Sequence, residues 1–222
     1  MKKANHCQLS QEAKEWIDGE LLGDGSVLSY TSYSAEINYT SKYFEYIKYV
    51  SDTLLSFGIA QAGKIYKRYY KQSNIPNYQY KSCRYVELLP IRNKWYSNGK
   101  KIVPRDIKLT PLTCRQWYIG DGYLTKDYPA IYLCTYGFSV ADVEWLVKQL
   151  RDLELKTTRE PGNNAVYISA HSTQYFLAYI GKCPVECYQY KWDYHSIKRE
   201  FVTNHHKEDI EEMAKSKVKI GH

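Results

Sequence analysis

Apolar and polar positions along the 222-residue chain follow two periods, and the order of those periods occurs twice. Trp16-Ile17-Asp18-Gly19-Glu20-Leu21-Leu22-Gly23-Asp24-Gly25 reads as a helix over 11–24, behind the polar lead-in Ser10, Gln11 and Glu12, that stops at Gly-Asp-Gly. Val27 to Tyr30 and Ala35 to Tyr39 read as short strands joined through Thr31-Ser32. Lys42 to Phe57 places Phe44, Ile47, Val50, Leu54 and Phe57 at helical steps of three and four, and Gly58 ends it. Lys64 to Lys71 and Tyr78 to Leu88 read as strands around an Asn74-Ile75-Pro76-Asn77 loop, followed by a short helix from Pro90 to Tyr96. Asn98-Gly99-Lys100-Lys101 then turns the chain.

The same order returns. Thr110-Pro111, a cap followed by proline at the first helical position, opens a second helix over 111–121 that ends in Trp117-Tyr118-Ile119-Gly120-Asp121-Gly122. Tyr123 to Thr125 and Ala130 to Thr135 are strands around Lys126 to Pro129. Val140 to Leu153 is a helix on Val143, Leu146, Val147, Leu150 and Leu153. Lys156 to Arg159 pairs with Ala165 to Ser169 across Pro161-Gly162-Asn163-Asn164, and Ser172 to Ile180 is a short helix. The pattern predicts an α/β (α+β) chain of two pseudo-symmetric αββαββα halves, 1–104 and 105–195, as gene duplication and fusion would give. Residues 196–222 fit neither half. Their charged run, with His205 and His206, reads as an exposed helix or as disordered chain.

Gly19 and Gly23 lie four apart, share one helix face and leave it almost bare, so a second helix can approach closely. The expected interface sets Gly19 and Gly23 against Gln116 and Gly120, with Gln116 loosening the contact opposite Gly19. Asp24 and Asp121 each end a helix, where the dipole is negative and a carboxylate is misplaced. Two such aspartates in matching contexts point to a cation.

Composition adds a partner class. Thirty-one Lys and Arg against 24 Asp and Glu give a net charge of +7, which favours a polyanion. Twenty-four tyrosines against five phenylalanines fit sheets with one dry and one polar face. The six cysteines show no zinc spacing and are expected to be reduced. The chain has no apolar run of about 18 residues and no apolar signal-peptide core at its start. Action at the site of synthesis is expected, in the cytoplasm or nucleoid of a prokaryote or an organelle matrix, without secretion or membrane partner.

The two Gly-Asp-Gly motifs, with Leu109-Thr110-Pro111-Leu112, Gly137-Phe138-Ser139 and Val143-Glu144-Trp145-Leu146-Val147, resemble the double motif of LAGLIDADG homing endonucleases, in the single-chain, intron-encoded branch. The resemblance covers roughly residues 11 to 195. It implies a monomer that cuts both strands of a long asymmetric DNA target, one aspartate per strand, and leaves 3′ overhangs. It also implies that the Gly23 and Gly120 carbonyls face metal beside Asp24 and Asp121. Lys101, with Lys100 as a rival, and Lys191 match basic active-site positions, where an ammonium group steadies transition-state charge. Hard oxygen ligands beside a phosphate point to Mg2+; Mn2+ is expected to substitute, and Ca2+ to bind without supporting cleavage.

DNA contacts are expected from alternation. Along one strand Lys64, Tyr66, Arg68 and Tyr70 share a face, while Ile65, Lys67, Tyr69 and Lys71 share the other, and the paired strand adds Lys81 and Arg84. Such a ribbon fits a major groove. The second hairpin is less basic, with Lys156 and Arg159, and strands Ser29 to Asn38 and Tyr123 to Tyr132 complete a saddle. Two other readings stay open: a maturase that binds group I intron RNA on the same fold, and a DNA-binding regulator that does not cut.

Overall fold

A computed structural model describes residues 5–69, 74–126 and 128–194. The predicted order is observed, twice. Helix α1 (Gln11–Leu22) begins at Ser10, whose hydroxyl accepts the Ala13 N–H at 3.0 Å. It is followed by β1 (Ser26–Leu28), β2 (Glu36–Ser41), α2 (Phe44–Ser56), β3 (Tyr66–Tyr69), β4 (Pro76–Lys81) and α3 (Leu88–Trp95). A two-stranded turn, β5 (Tyr96–Ser97) and β6 (Lys100–Lys101), leads onward; Asn98 and Gly99 sit at φ 49° and 76°, the left-handed pair such a hairpin requires. Helix α4 (Pro111–Asp121) is capped by Thr110, which accepts from Thr113 N–H at 3.2 Å. The second half continues with β7 (Gly122–Leu124), β8 (Ile131–Leu133), α5 (Val140–Asp152), β9 (Thr157–Glu160), β10 (Ala165–Ile168), α6 (Ala170–Ile180) and a short 3-10 helix, Glu186–Trp192.

Each half forms a four-stranded antiparallel sheet of the same topology, β1-β2-β4-β3 and β7-β8-β10-β9. Side chains alternate across a strand and cross-strand partners share a face. The register therefore gives the first sheet a dry face of Val27, Ile37, Tyr39 and Tyr80, all buried, and the second a dry face of Ile131, Leu133, Val166 and Ile168. Helix α2 lies against β2 and β4, and α5 against β9 and β10. Trp16 of α1 and Trp117 of α4 are both buried in the core.

Three expectations need correction. Helix α1 stops at Leu22, not at 24, because Gly23 leaves helical geometry (φ −98°, ψ −140°). Strand β4 stops at Lys81, well short of Leu88. There the Ser82 hydroxyl takes the Ile37 N–H at 2.8 Å and Cys83 N–H turns to the Ala60 carbonyl at 2.7 Å, so the ladder breaks before a last bridge at Tyr85. Pro76 opens β4 instead of lying in a loop, a position where its missing N–H is tolerated. The 3-10 helix was not expected at all. The tail from 196 onward, with His205 and His206, and Tyr70 and Lys71 lie outside the described residues. No helix among the described residues is long and apolar enough to cross a membrane.

Candidate active site

Helices α1 and α4 pack directly against each other, and glycine makes the contact. A Cβ at Gly19 would lie 2.5 Å from the Thr113 carbonyl oxygen and 2.8 Å from Gln116 Cβ. The expected loosening at Gln116 does not occur: Gln116 is fully buried and its Nε2 donates to Tyr49 Oη at 3.1 Å. One turn on, Gly23 and Gly120 face each other backbone to backbone, a Cβ on Gly120 falling 3.2 Å from the Asp24 nitrogen. The chain then doubles back over each helix end. A Cβ on Gly25 would meet the Glu20 carbonyl oxygen at 2.7 Å, and one on Gly122 would overlap the Tyr118 ring. Gly25, Gly120 and Gly122 are thus set by space, whereas a Cβ on Gly23 would meet Gly120 Cα at an ordinary 3.4 Å, and the two aspartates leave a single helix interface side by side.

Asp121 lines a cleft of about 390 Å³ with Gly23, Lys101, Cys134 and Tyr136; Asp24 reaches further into solvent. Burial pushes both carboxyls up. Asp24 rises above its ordinary value against the pull of Lys191 and Lys101; Asp121 rises to about 7, helped by repulsion from Asp24 and opposed by Lys101 and Lys191.

Lys101 and Lys191 reach the site from opposite halves. Lys101 Nζ, from β6, donates to the carbonyls of Gly23 and Gly25 at 3.1 and 2.8 Å. Lys191 Nζ, from the 3-10 helix, donates to those of Ile119, Tyr118 and Gly120 at 2.6, 3.3 and 3.4 Å. Each ammonium group thus sits on the negative end of one motif helix. Burial lowers both, Lys191 to about 8, while Asp24 and Asp121 resist the change. Lys100 is exposed and makes no such contact, which separates it from Lys101. Sequence reasoning missed Glu20. This carboxyl is 3% exposed, receives Tyr46 Oη at 2.9 and 3.1 Å, and is pushed by burial to about 8. Its only signal was a charge among Trp16, Ile17, Leu21 and Leu22.

The expected DNA contacts separate by face. Tyr66, Arg68 and Lys81 lie on the face of the first sheet that points away from α2, with Asn38, Thr40, Asn77 and Gln79. Lys64 is exposed just before β3. Lys67 takes the opposite face, 5.3 Å over the Tyr69 ring. Arg84 lies past the strand end, bound to Glu36 at 3.1 Å and over the Tyr30 ring. Lys156 is exposed beside β9. Arg159 is opposite Val166 and so on the helix side, bonded to Glu144 of α5 at 2.8 Å.

A metal is implied by the resemblance, and the residues fit one. Two carboxylates close enough that Asp24 raises the proton affinity of Asp121 offer hard oxygens to a divalent cation. The Gly23 and Gly120 carbonyls each accept one lysine bond and keep a second lone pair. Among the described residues no three His, Cys, Asp or Glu side chains converge, so substrate phosphate and water would have to complete the coordination.

Fold and site together define a duplicated α/β protein that brings the aspartates of two Gly-Asp-Gly motifs to the same end of one helix pair. The LAGLIDADG DNA endonuclease family model matches residues 14–176, and the chain belongs to that family. Its fold matches that of the homing endonuclease I-WcaI bound to its DNA recognition sequence, with a TM-score of 0.69 and 18% identity over 82% of this chain and 87% of that one. The uncharacterized protein MJ1098 of Methanocaldococcus jannaschii is 29% identical over 147 residues, 64% of this chain. This chain spans 57% of that relative's length.

Proposed function

We propose that this protein is a monomeric, single-chain, site-specific DNA endonuclease of the intron-homing kind, hydrolysing phosphodiesters with a divalent metal and leaving 3′ overhangs at a long asymmetric target. The observation that carries the reading is the pairing at the helix interface: one aspartate and one lysine per motif, from two halves, gathered at one end of the packed motif helices. A spent or purely structural motif has no use for a buried and a half-buried lysine beside two crowded carboxylates.

Asp24 and Asp121, with the Gly23 and Gly120 carbonyls, would hold the cation. A bound Mg2+ supplies an activated water and charge neutralisation at the leaving 3′-oxygen. Lys101 and Lys191, fixed on the helix ends, present positive charge beside the scissile phosphates, where negative charge grows in the transition state. The sheet faces directed away from the helices hold the duplex: Lys64, Tyr66, Arg68 and Lys81 from the first half, with Lys156 at the edge of the second.

The test begins with binding-site selection from a randomised duplex pool in Ca2+. The selected site is then cloned into a supercoiled plasmid and incubated with Mg2+. Linear product with short 3′ overhangs is the expected result. A duplex that is bound and never cut would overturn the reading in favour of a regulator, and preferential binding of structured intron RNA would favour a maturase.

A further inference from the structure

The sheet faces that point away from the helices differ in chemistry. On the first sheet this face carries the amides Asn77 and Gln79 and the arginine Arg68, with Asn38 buried against Glu36. On the second sheet the corresponding strand positions are Tyr123, Tyr132, Tyr167, Ala165, Thr158 and Glu160. Among these there is no lysine, arginine, asparagine or glutamine.

The tyrosines form a ladder across three strands. Tyr123 stands opposite Tyr132, and Tyr132 opposite Tyr167. The first two rings stack with centroids 5.3 Å apart and planes 8° apart, and Tyr167 closes on the far side of Tyr132 at 5.1 Å and 57°. Tyr132 is therefore held between two rings, which leaves ring edges and hydroxyls to face outward. The ladder starts at the cleft, since Tyr123 follows Asp121 by two residues and Cys134 N–H donates to the Asp121 carbonyl at 2.8 Å. At its outer end, beyond Tyr167 and Thr158, lies a concavity of about 490 Å³ edged by Lys156 and His171, by Arg151, which donates to the Thr157 carbonyl, and by Glu154.

We propose that the second half reads its side of the duplex through thymine 5-methyl groups packed on this ladder, while the first half reads by hydrogen bonds from amides and Arg68. The target then consists of two chemically unlike half-sites, thymine-rich under the second sheet. The proposal rests on the endonuclease reading above. The thymine methyl is the apolar group of the major groove and the natural partner of a surface that offers carbon and few charges. Rings locked against each other are ordered before binding, so little conformational freedom is lost on contact. The basic residues at the outer end stand where backbone phosphates would fix register. An unpaired RNA base would instead need a free ring face on which to stack, and Tyr132 has none.

The experiment uses the full chain in Ca2+ and the duplex chosen by selection. Thymines are replaced by deoxyuridine, which removes the methyl alone, on one side of the target at a time; the side whose selectivity Arg68→Ala relaxes marks the first half. Replacement on the second-half side is expected to weaken binding about threefold to fourfold for each methyl buried, and replacement on the first-half side to leave it unchanged. Tyr123→Ser, at an exposed position, is expected to lose the penalty at its own base pair while still binding duplex. Intact duplex binding with no uridine penalty on the second side, or with equal penalties on both, overturns the proposal and spares the endonuclease reading. Tighter binding to unpaired RNA overturns the proposal too. No duplex binding at all overturns both.

Discussion

Glu20 shows how far a single residue in the motif helix is governed by its surroundings. Burial holds its folded-state carboxyl near 8, against an ordinary value of 4.5, with hydrogen bonds from Tyr39 and Tyr46 only partly offsetting the desolvation. Between those two values the folded protein keeps a proton that the unfolded chain releases. Stability therefore falls as pH rises through that window, by at most about 1.4 kcal/mol per unit, and the loss is complete above 8. Glu20→Gln keeps the shape and removes the titration. Urea unfolding at pH 5.5 and pH 8 is expected to show a parent that weakens with pH more than the variant, which keeps only the smaller loss due to Asp121. Parallel losses in both would place the effect elsewhere. Arginines divide in the same way by location. Arg68→Ala is expected to relax selectivity at one or two base pairs, by roughly 1–3 kcal/mol for a bidentate guanine contact. Arg159→Ala, whose guanidinium is turned to Glu144 on the helix side, is expected to leave DNA binding within twofold in the same gel-shift series.

At the scale of elements, the motif helices decide the architecture, and Gly19 is their tightest point. Alanine there gains about 1 kcal/mol of helix propensity. Its Cβ, however, would press on the backbone oxygen of Thr113 at 2.5 Å, and overpacking of this kind costs about 1–3 kcal/mol. The clash wins, so Gly19→Ala is expected to lower the denaturant midpoint. Gly137→Ala, where a Cβ meets nothing within 4 Å, is expected to leave it in place. Equal midpoints would mean the helices are not in backbone contact. These helices were the most legible part of the sequence because a glycine spacing and a duplicated Gly-Asp-Gly state both the contact and its end. Other features had no comparable signal. Thr157 to Glu160 contains no apolar marker, so only the pairing of Arg159 with Val166, itself paired with Leu133, shows that Arg159 faces the helices. The 3-10 helix that delivers Lys191 lacks the 3.6-residue period by which helices are recognised, and the break after Lys81 depends on a serine hydroxyl replacing a ladder acceptor. Glu20 was hidden because a carboxylate in a motif normally reads as a solvated position.

For the molecule as a whole, the repeated topology gives each half one sheet, one motif helix, one aspartate and one lysine. The net charge of +7 and the polar outer face of the first sheet imply binding that depends on phosphate neutralisation. Affinity for the selected duplex is expected to fall by about 0.9 log unit per contacted phosphate for each tenfold rise in salt. A slope near zero in a salt titration would remove DNA from the account.

The most direct test concerns the two aspartates. Asp24→Asn and Asp121→Asn preserve size and helix end while removing the charge that would hold a cation. The measurement is supercoiled-plasmid cleavage in Mg2+, set beside a gel shift in Ca2+ for each variant. Each substitution is expected to nearly abolish double-strand cleavage and to leave duplex binding within about tenfold, roughly 1.4 kcal/mol, with any change toward tighter binding because a carboxylate beside phosphate is repulsive. Linearisation by either variant at the parental rate would show that Asp24 and Asp121 merely end their helices, and would contradict the site described above.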